Sequence, residues 1–307
     1  MKEVDLKGII PACVLPMTED YRIDEEALRH YISWLIPQGV KALAINVDTG
    51  EGPHLFPEER RRVIEVVREE VRGRVPIIAG LAAGFTAQAV TLAKEAEAAG
   101  ADALLVFPIP AFQGRELSPE VPYHYHRAIA DAVDIPLILF QLQPALGGLT
   151  FSPEAIARLV EIENVVAMKE ASFDAKTFVE TRELLDSLPR RITLLTGNDN
   201  FILESFILGA EGALIGFGTV ATDLQVEMFD SVMGHDYNRA WEIWRRLLPL
   251  EKAIFAPPIR NYRARLKAAL MMQGIIKNYT VRPPLPPLAP EEVERVKVPL
   301  WELGLIH

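Results

Sequence analysis

The sequence predicts an α/β fold, a (β/α)8 TIM barrel with a C-terminal helical appendage, and three observations lead there. Eight short apolar runs alternate with longer segments of helical spacing. The runs are apolar at successive positions, as parallel strands covered on both faces require. The chain has 307 residues, enough for a barrel of about 250 residues with a remainder to pack on it. A doubly wound dinucleotide fold would place Gly-x-Gly-x-x-Gly after an early strand, and Gly80-Leu-Ala-Ala-Gly84 lacks that spacing.

The expected strands are Ile9–Leu15, Ala42–Val47, Pro76–Gly80, Ala103–Phe107, Pro136–Gln141, Val165–Lys169, Thr193–Gly197 and Ala213–Phe217. Helical patterns between them include Asp24–Gln38, Pro57–Val71, Thr86–Ala99, Ser118–Ala132 and Ser152–Glu161. Asp24 before Glu25-Glu26, and Ser152 before Pro153, carry the oxygen that caps exposed N–H groups at a helix start. Gly39 and Gly100 suit the left-handed residue that ends a helix. Residues 1–225 are assigned to the barrel and 226–307 to a helical region packed on it, the two forming one structural unit. That region holds helices near Tyr237–Phe255 and Arg260–Met272, the proline-rich crossing Arg282–Pro290 and a last short helix. A free polyproline ligand is the less favoured reading of the crossing.

Composition narrows the function classes. Half of the residues are hydrophobic and 24% are charged, a globular balance, and the formal net charge is -10. A surplus of acid argues against a nucleic-acid partner, which needs clustered Lys and Arg. The basic run after Glu58-Glu59, Arg60-Arg61-Arg62, reads as a solvated helix face. Cys13 is the single cysteine and sits in an apolar stretch, so neither an internal disulfide nor a thiolate metal cage is available. The N-terminal Met1–Lys7 shows no signal-peptide pattern and no run of 18 apolar residues occurs, so a cytoplasmic protein without a membrane partner is expected.

In a barrel, chemistry belongs at the C-terminal strand ends. Lys169 closes the wholly apolar run Val165-Val-Ala-Met168, where desolvation disfavours an ammonium. Catalytic lysines held this way fall to a pKa of about 7–8, which frees enough amine to attack the carbonyl of a 2-oxo acid. The competing reading is a structural ion pair with Glu170 or Asp48. In Asp48-Thr49-Gly50-Glu51-Gly52, glycine backbone and the Thr49 hydroxyl suit a bound carboxylate, although an ordinary tight turn before Pro57 fits as well. Phe140 and Gln141 after strand five, and Ile215 and Gly216 after strand eight, complete the expected substrate contacts. No metal site is expected: His124 and His126 stand two apart on a helix, where side chains diverge, and both are expected to face solvent or an interface. The Gly-x-Ser-x-Gly elbow of an α/β hydrolase is missing, and no basic residue ends strand seven or eight to hold a phosphate.

From about Leu6 to Leu288 the chain resembles the dihydrodipicolinate synthase / N-acetylneuraminate lyase family. The resemblance rests on an ordered set: Gly8-Ile-Ile-Pro-Ala12, Asp48-Thr-Gly-Glu51, Pro136-Leu-Ile-Leu-Phe140, Met168-Lys-Glu-Ala-Ser172, Thr196-Gly-Asn-Asp199, Gly209-Ala-Glu-Gly-Ala-Leu-Ile-Gly216 and Arg282-Pro-Pro-Leu285. It implies a Schiff-base lysine at Lys169, a carboxylate-holding loop at Thr49 and Gly50, no cofactor beyond the lysine iminium, and a homotetramer of two tight dimers or a homodimer. The implied reaction is aldol cleavage or condensation, or dehydration, of a small-molecule 2-oxo acid such as pyruvate or a 2-keto-3-deoxy sugar acid. A synthase in the strict sense, or a keto-acid binder without turnover, are the alternatives.

The chain also departs from the family pattern. The proton-relay tyrosine aligns with Phe140, the substrate arginine falls near Pro144-Ala145-Leu146, the tyrosine exchanged between dimer partners falls near Ala111-Phe112, and the first Thr of the Gly-Thr-Thr-Gly-Glu loop aligns with Asp48. Asp48 is therefore expected to supply acid–base chemistry in place of the phenol, or to bind a substrate hydroxyl. Its charge is expected to disfavour a ligand with a second carboxylate there.

Overall fold

The computed structural model describes residues 4–113 and 117–307. The first three residues of the N-terminal stretch read for a leader lie outside the described residues. The eight expected runs form parallel strands: β1 (Ile9–Pro11), β2 (Leu43–Ile45), β3 (Ile77–Leu81), β4 (Ala103–Val106), β5 (Leu137–Leu142), β6 (Val165–Ala171), β7 (Thr193–Thr196) and β8 (Gly212–Ile215). From β2 to β8 each pairs with its sequence neighbour, and β1 pairs with β8. The ring closes between β1 and β2 through a parallel bridge at Ala12 and Ala44, where Cys13 N donates to Ala44 O at 2.8 Å.

Strand alternation divides the core in two. Ile10, Ile78, Leu105, Ile138, Ala167 and Leu195 fill the barrel interior. Their neighbours Ile9, Ile77, Leu104, Leu139, Met168 and Leu194 face the surrounding helices. A period of two carries each list forward along its strand. Two residues beyond Ala167, Lys169 therefore points into the barrel, while Met168 and Glu170 point out. Burial drives the Cys13 thiol up to about 12, which suits a structural residue.

The surrounding helices are α1 (Glu25–Leu35), α2 (Pro57–Val71), α3 (Thr86–Ala98), α4 (Glu120–Ala130), α5 (Pro153–Val160), α6 (Ala175–Ser187), α7 (Ile202–Ile207) and α8 (Thr222–Met233). Asp24 and Ser152 cap α1 and α5 as expected, accepting from Ala27 N at 3.0 Å and Ala155 N at 3.2 Å. Residue 225 falls inside α8, so the eighth barrel unit extends to Met233 and the boundary drawn at 225 is too early. His126 also departs from expectation. It is fully buried against Phe112, Tyr125 and Phe151, with Nδ1 2.7 Å from Pro122 O, because α4 turns that face toward the core.

The C-terminal region consists of α9 (Tyr237–Ile254), α10 (Tyr262–Met272) and α11 (Pro290–Glu302). The nine residues Tyr262–Leu270 of α10 are all buried, although three of them are cations. Each cation has a fixed partner. Arg263 reaches Asp48, Arg265 reaches Glu292 on α11, and the fully buried Lys267 pairs with the fully buried Glu51. Lys267 Nζ also donates to Thr280 O at 2.7 Å. Arg282 grips Glu59 of α2 through both guanidinium arms at 2.7 and 2.8 Å, which lashes the proline-rich crossing to the barrel. The appendage is thereby anchored on the β2–α2 loop.

Candidate active site

Lys169 stands on the inner face of β6 with 8% of its surface exposed. Its ammonium lies 4.3 Å from the centre of the Phe140 ring, on the neighbouring strand, in direct register. Burial pushes its pKa down to about 8, and the Asp199 and Asp48 carboxylates pull in the opposite direction through space. No carboxylate among the described residues pairs with it directly. Glu170, the first partner considered, points outward and accepts from Gln141 Nε2 at 3.2 Å, Ser172 N at 2.9 Å and Asn198 Nδ2 at 2.6 Å. Asp48, the second, has both oxygens engaged elsewhere. The structural ion-pair reading of Lys169 has no partner in this arrangement.

A narrow cavity of about 30 Å³ surrounds the amine, lined by Asp48, Thr49, Phe140, Asp199 and Gly216 among others, with Phe255 and Tyr262 from the C-terminal region. Two glycines make this crowding possible. A Cβ on Gly197 would stand 2.5 Å from Lys169 Cε, and one on Gly216 would stand 3.2 Å from Thr49 Oγ1 and 3.3 Å from a Tyr262 ring carbon. Beside this chamber lies a wider cavity of about 260 Å³, which shares Asp48, Leu142 and Leu146 and adds Arg260 and Arg263. A larger cavity, about 570 Å³, lies apart from Lys169 over the β4–α4 and β5–α5 loops, and no ionisable side chain lines it among the described residues.

Asp48 is part of a short polar chain. Its Oδ2 accepts from the Tyr262 hydroxyl at 2.6 Å, and its Oδ1 from Arg263 Nη2 at 2.5 Å. Arg263 Nε also donates to the Asp48 carbonyl at 2.7 Å. The Tyr262 hydroxyl lies 3.4 Å from Thr49 Oγ1. Burial first, and the Asp48 charge second, raise the Tyr262 phenol well above its ordinary range. The Arg263 guanidinium compensates the Asp48 charge, which removes the electrostatic reason for expecting a second ligand carboxylate to be refused there. Asp199, on the turn after β7, accepts from Phe217 N at 2.8 Å. Burial raises it to about 6, against the opposing pull of the Phe217 N–H and of Lys169.

Of the eight residues singled out in the sequence, five line the chamber: Lys169, Asp48, Thr49, Phe140 and Gly216. Three do not. Gln141 is the outward neighbour of Phe140 and bonds to Glu170 and to Phe151 N, the latter at 3.0 Å. Ile215 is the outward neighbour of Leu214 and belongs to the layer under the helices. Gly50 packs behind Thr49, where a Cβ would stand 2.7 Å from the Cys13 carbonyl oxygen. The first two misplacements share one cause: consecutive strand residues face opposite sides, so pairs cannot both reach a ligand. Asp199, Phe255, Tyr262 and Arg263 were not singled out. Asp199 follows from the strand-end rule and lies in the quoted Thr196–Asp199 motif. The other three come from a region with no local signal of catalysis. Among the described residues no group of three His, Cys, Asp or Glu side chains is placed to hold a metal ion.

Comparison with known proteins identifies the family. The family model described as "Dihydrodipicolinate synthetase family" matches residues 5–302. The 4-hydroxy-tetrahydrodipicolinate synthase of Chlorobium phaeovibrioides is 34% identical over 307 residues, covering 100% of both chains. That of Methanopyrus kandleri is 34% identical over 98% of this chain and 97% of its own. Among solved structures, the dihydrodipicolinate synthase of Thermotoga maritima superposes with a TM-score of 0.89 at 27% identity, covering 98% of this chain and 99% of that one. The chloride-inhibited enzyme of Acinetobacter baumannii, solved in complex with pyruvate, gives a TM-score of 0.86 at 30% identity over 98% and 99%. The chain belongs to the dihydrodipicolinate synthetase family.

Proposed function

We propose that the protein is a Schiff-base-forming lyase in which Lys169 captures the carbonyl of a small 2-oxo acid, of the pyruvate or 2-keto-3-deoxy sugar acid type. The observation that carries this reading is a buried amine, lowered to about 8, two residues before the C-terminal end of β6 and facing a cavity. At pH 7 such a group is about one-tenth free amine, whereas an ordinary lysine is below about one part in a thousand. The neutral amine attacks the carbonyl carbon, water leaves, and the resulting iminium draws electrons from the adjacent carbon. Cleavage, condensation and elimination of water share that intermediate. The chemistry uses the lysine itself and calls for no other cofactor. The Thr49 hydroxyl is the proposed donor to the ligand carboxylate. Asp199 is the proposed counter-charge to the iminium.

A strict 4-hydroxy-tetrahydrodipicolinate synthase is the second reading, favoured by full-length relatives of that name at 34% identity. Arg260 supports it. Its Nη2 donates to Ala145 O at 3.2 Å, which brings a guanidinium to the β5–α5 loop that lacks an arginine of its own. A soluble cytoplasmic homotetramer or homodimer is proposed with either reading, and light scattering on the purified protein measures the assembly.

The test is reductive trapping. Incubation with pyruvate and borohydride is expected to add one reduced three-carbon unit, mapped by peptide mass to Lys169, and Lys169→Ala is expected to add none. Absence of the adduct from the native protein, with pyruvate and with several sugar-derived keto acids, would remove the proposal.

A further inference from the structure

Iminium chemistry needs a group that takes a proton from the substrate and returns it, and the lysine cannot serve while its nitrogen is bonded to carbon. Phe140, on β5 with its ring centre 4.3 Å from the amine, has no exchangeable proton. Among the described residues, the ionisable and hydroxyl groups lining the chamber beside Lys169 are Asp48, Thr49, Asp199 and Tyr262. Asp199 lines the same chamber and pulls on the amine through space as a negative charge, which protonation would abolish. Thr49 has too high a pKa to hold a proton alternately on and off. Asp48 does not stand alone, since the Tyr262 hydroxyl donates to it at 2.6 Å.

We infer that Tyr262, delivered by α10 of the C-terminal region, is the proton carrier of the site, working between the substrate and Asp48. The inference rests on the imine reading of Lys169. The phenol is well placed for the task. The residue is 5% exposed, and its ring stacks on Phe255 with centroids 5.3 Å apart and planes inclined by 20°. Its hydrogen is committed to Asp48, so its lone pairs are open toward Thr49 and the chamber. Arg263 fixes the other oxygen of Asp48 and leaves Oδ2 as the single acceptor. Asp48 also lines the wider adjoining cavity, which provides an outlet for the proton.

The step balances without a further reactant. With the iminium formed at C2, a C3–H bond breaks and its electron pair becomes the C2–C3 double bond of the enamine, while the iminium nitrogen takes the π electrons. The released proton binds the Tyr262 oxygen as the phenol hydrogen passes to Asp48 Oδ2. Reversal delivers a solvent-derived proton to C3.

Pyruvate in deuterated water separates the possibilities. Exchange of the C3 hydrogens is followed by NMR, and the endpoint borohydride adduct on Lys169 is weighed in parallel. Tyr262→Phe keeps the ring and removes only the hydroxyl. The adduct is expected to form, while exchange falls about 100-fold or more, the scale of a lost acid–base group. Adding Phe140→Tyr to that variant places a phenol beside the amine again and is expected to restore part of the exchange, which a packing role for Tyr262 would not allow. Unchanged exchange in Tyr262→Phe with the adduct intact overturns this inference and leaves the lysine reading standing. Loss of the endpoint adduct in Tyr262→Phe assigns the residue to shaping the chamber and also overturns it. Absence of adduct in the native protein overturns the lysine reading and this inference together.

Discussion

At the scale of single residues, the site is a balance of opposed fields on one amine. Burial lowers Lys169 to about 8, and the Asp199 and Asp48 carboxylates limit how far it falls. The amine attacks only when neutral, so the initial rate of adduct formation at low pyruvate is expected to rise tenfold per pH unit and to level off above about pH 8. Asp199 stabilises the charged form, and its replacement by neutral Asn leaves burial less opposed. Asp199→Asn is therefore expected to move the midpoint of that profile to lower pH, read by borohydride quench at short times. A midpoint that stays in place, or rises, would show that the two groups are not coupled. Gly197 serves the same balance in a different way, because a methyl group there would press on Lys169 Cε and turn the amine from its position.

At the scale of elements, the β2–α2 loop carries the site and α10 holds the loop. The Lys267–Glu51 pair is wholly buried, and removing one partner of such a pair leaves an uncompensated charge at a cost of about 3–5 kcal/mol. Lys267→Met is expected to lower stability by that order in urea unfolding, while Glu51→Leu with Lys267→Met together is expected to recover much of the loss. If the single variant is as stable as the native protein, the pair does not hold the loop. The strands were legible in the sequence because continuous apolar runs leave few alternatives, and Lys169 was legible because a strand end in a barrel is a privileged place. The facing of Gln141 and Ile215 was not, since an apolar run carries no alternation to say which residue points inward. Tyr262 was hidden for another reason: some two hundred residues separate it from Asp48, and spacing along the chain says nothing of such contacts. A faint sign existed. Arg260, Arg263, Arg265 and Lys267 crowd one apolar helical stretch without an acid among them, and buried cations require partners elsewhere.

At the scale of the whole molecule, the C-terminal region is expected to behave as part of the barrel and not as an accessory to it. Arg263, Lys267 and Arg282 carry positive charge to Asp48, Glu51 and Glu59, and Phe255 and Tyr262 line the reaction chamber. Without that region the buried Glu51 and the partly exposed Asp48 lose their counter-charges, and the apolar faces that meet α9 and α10 are opened to water. A loss of about 3–5 kcal/mol for the wholly buried Lys267–Glu51 pair alone is a large share of the stability of a typical domain, about 5–15 kcal/mol. The full chain is therefore expected to unfold in one calorimetric transition. A chain ending at Met233, after the eighth barrel helix, is expected to show no cooperative transition and no trapping of pyruvate on Lys169. A sharp transition together with intact trapping in the shortened chain would mean that the eight barrel units fold and hold the amine by themselves, and that the cations of α10 follow the loop's geometry without enforcing it.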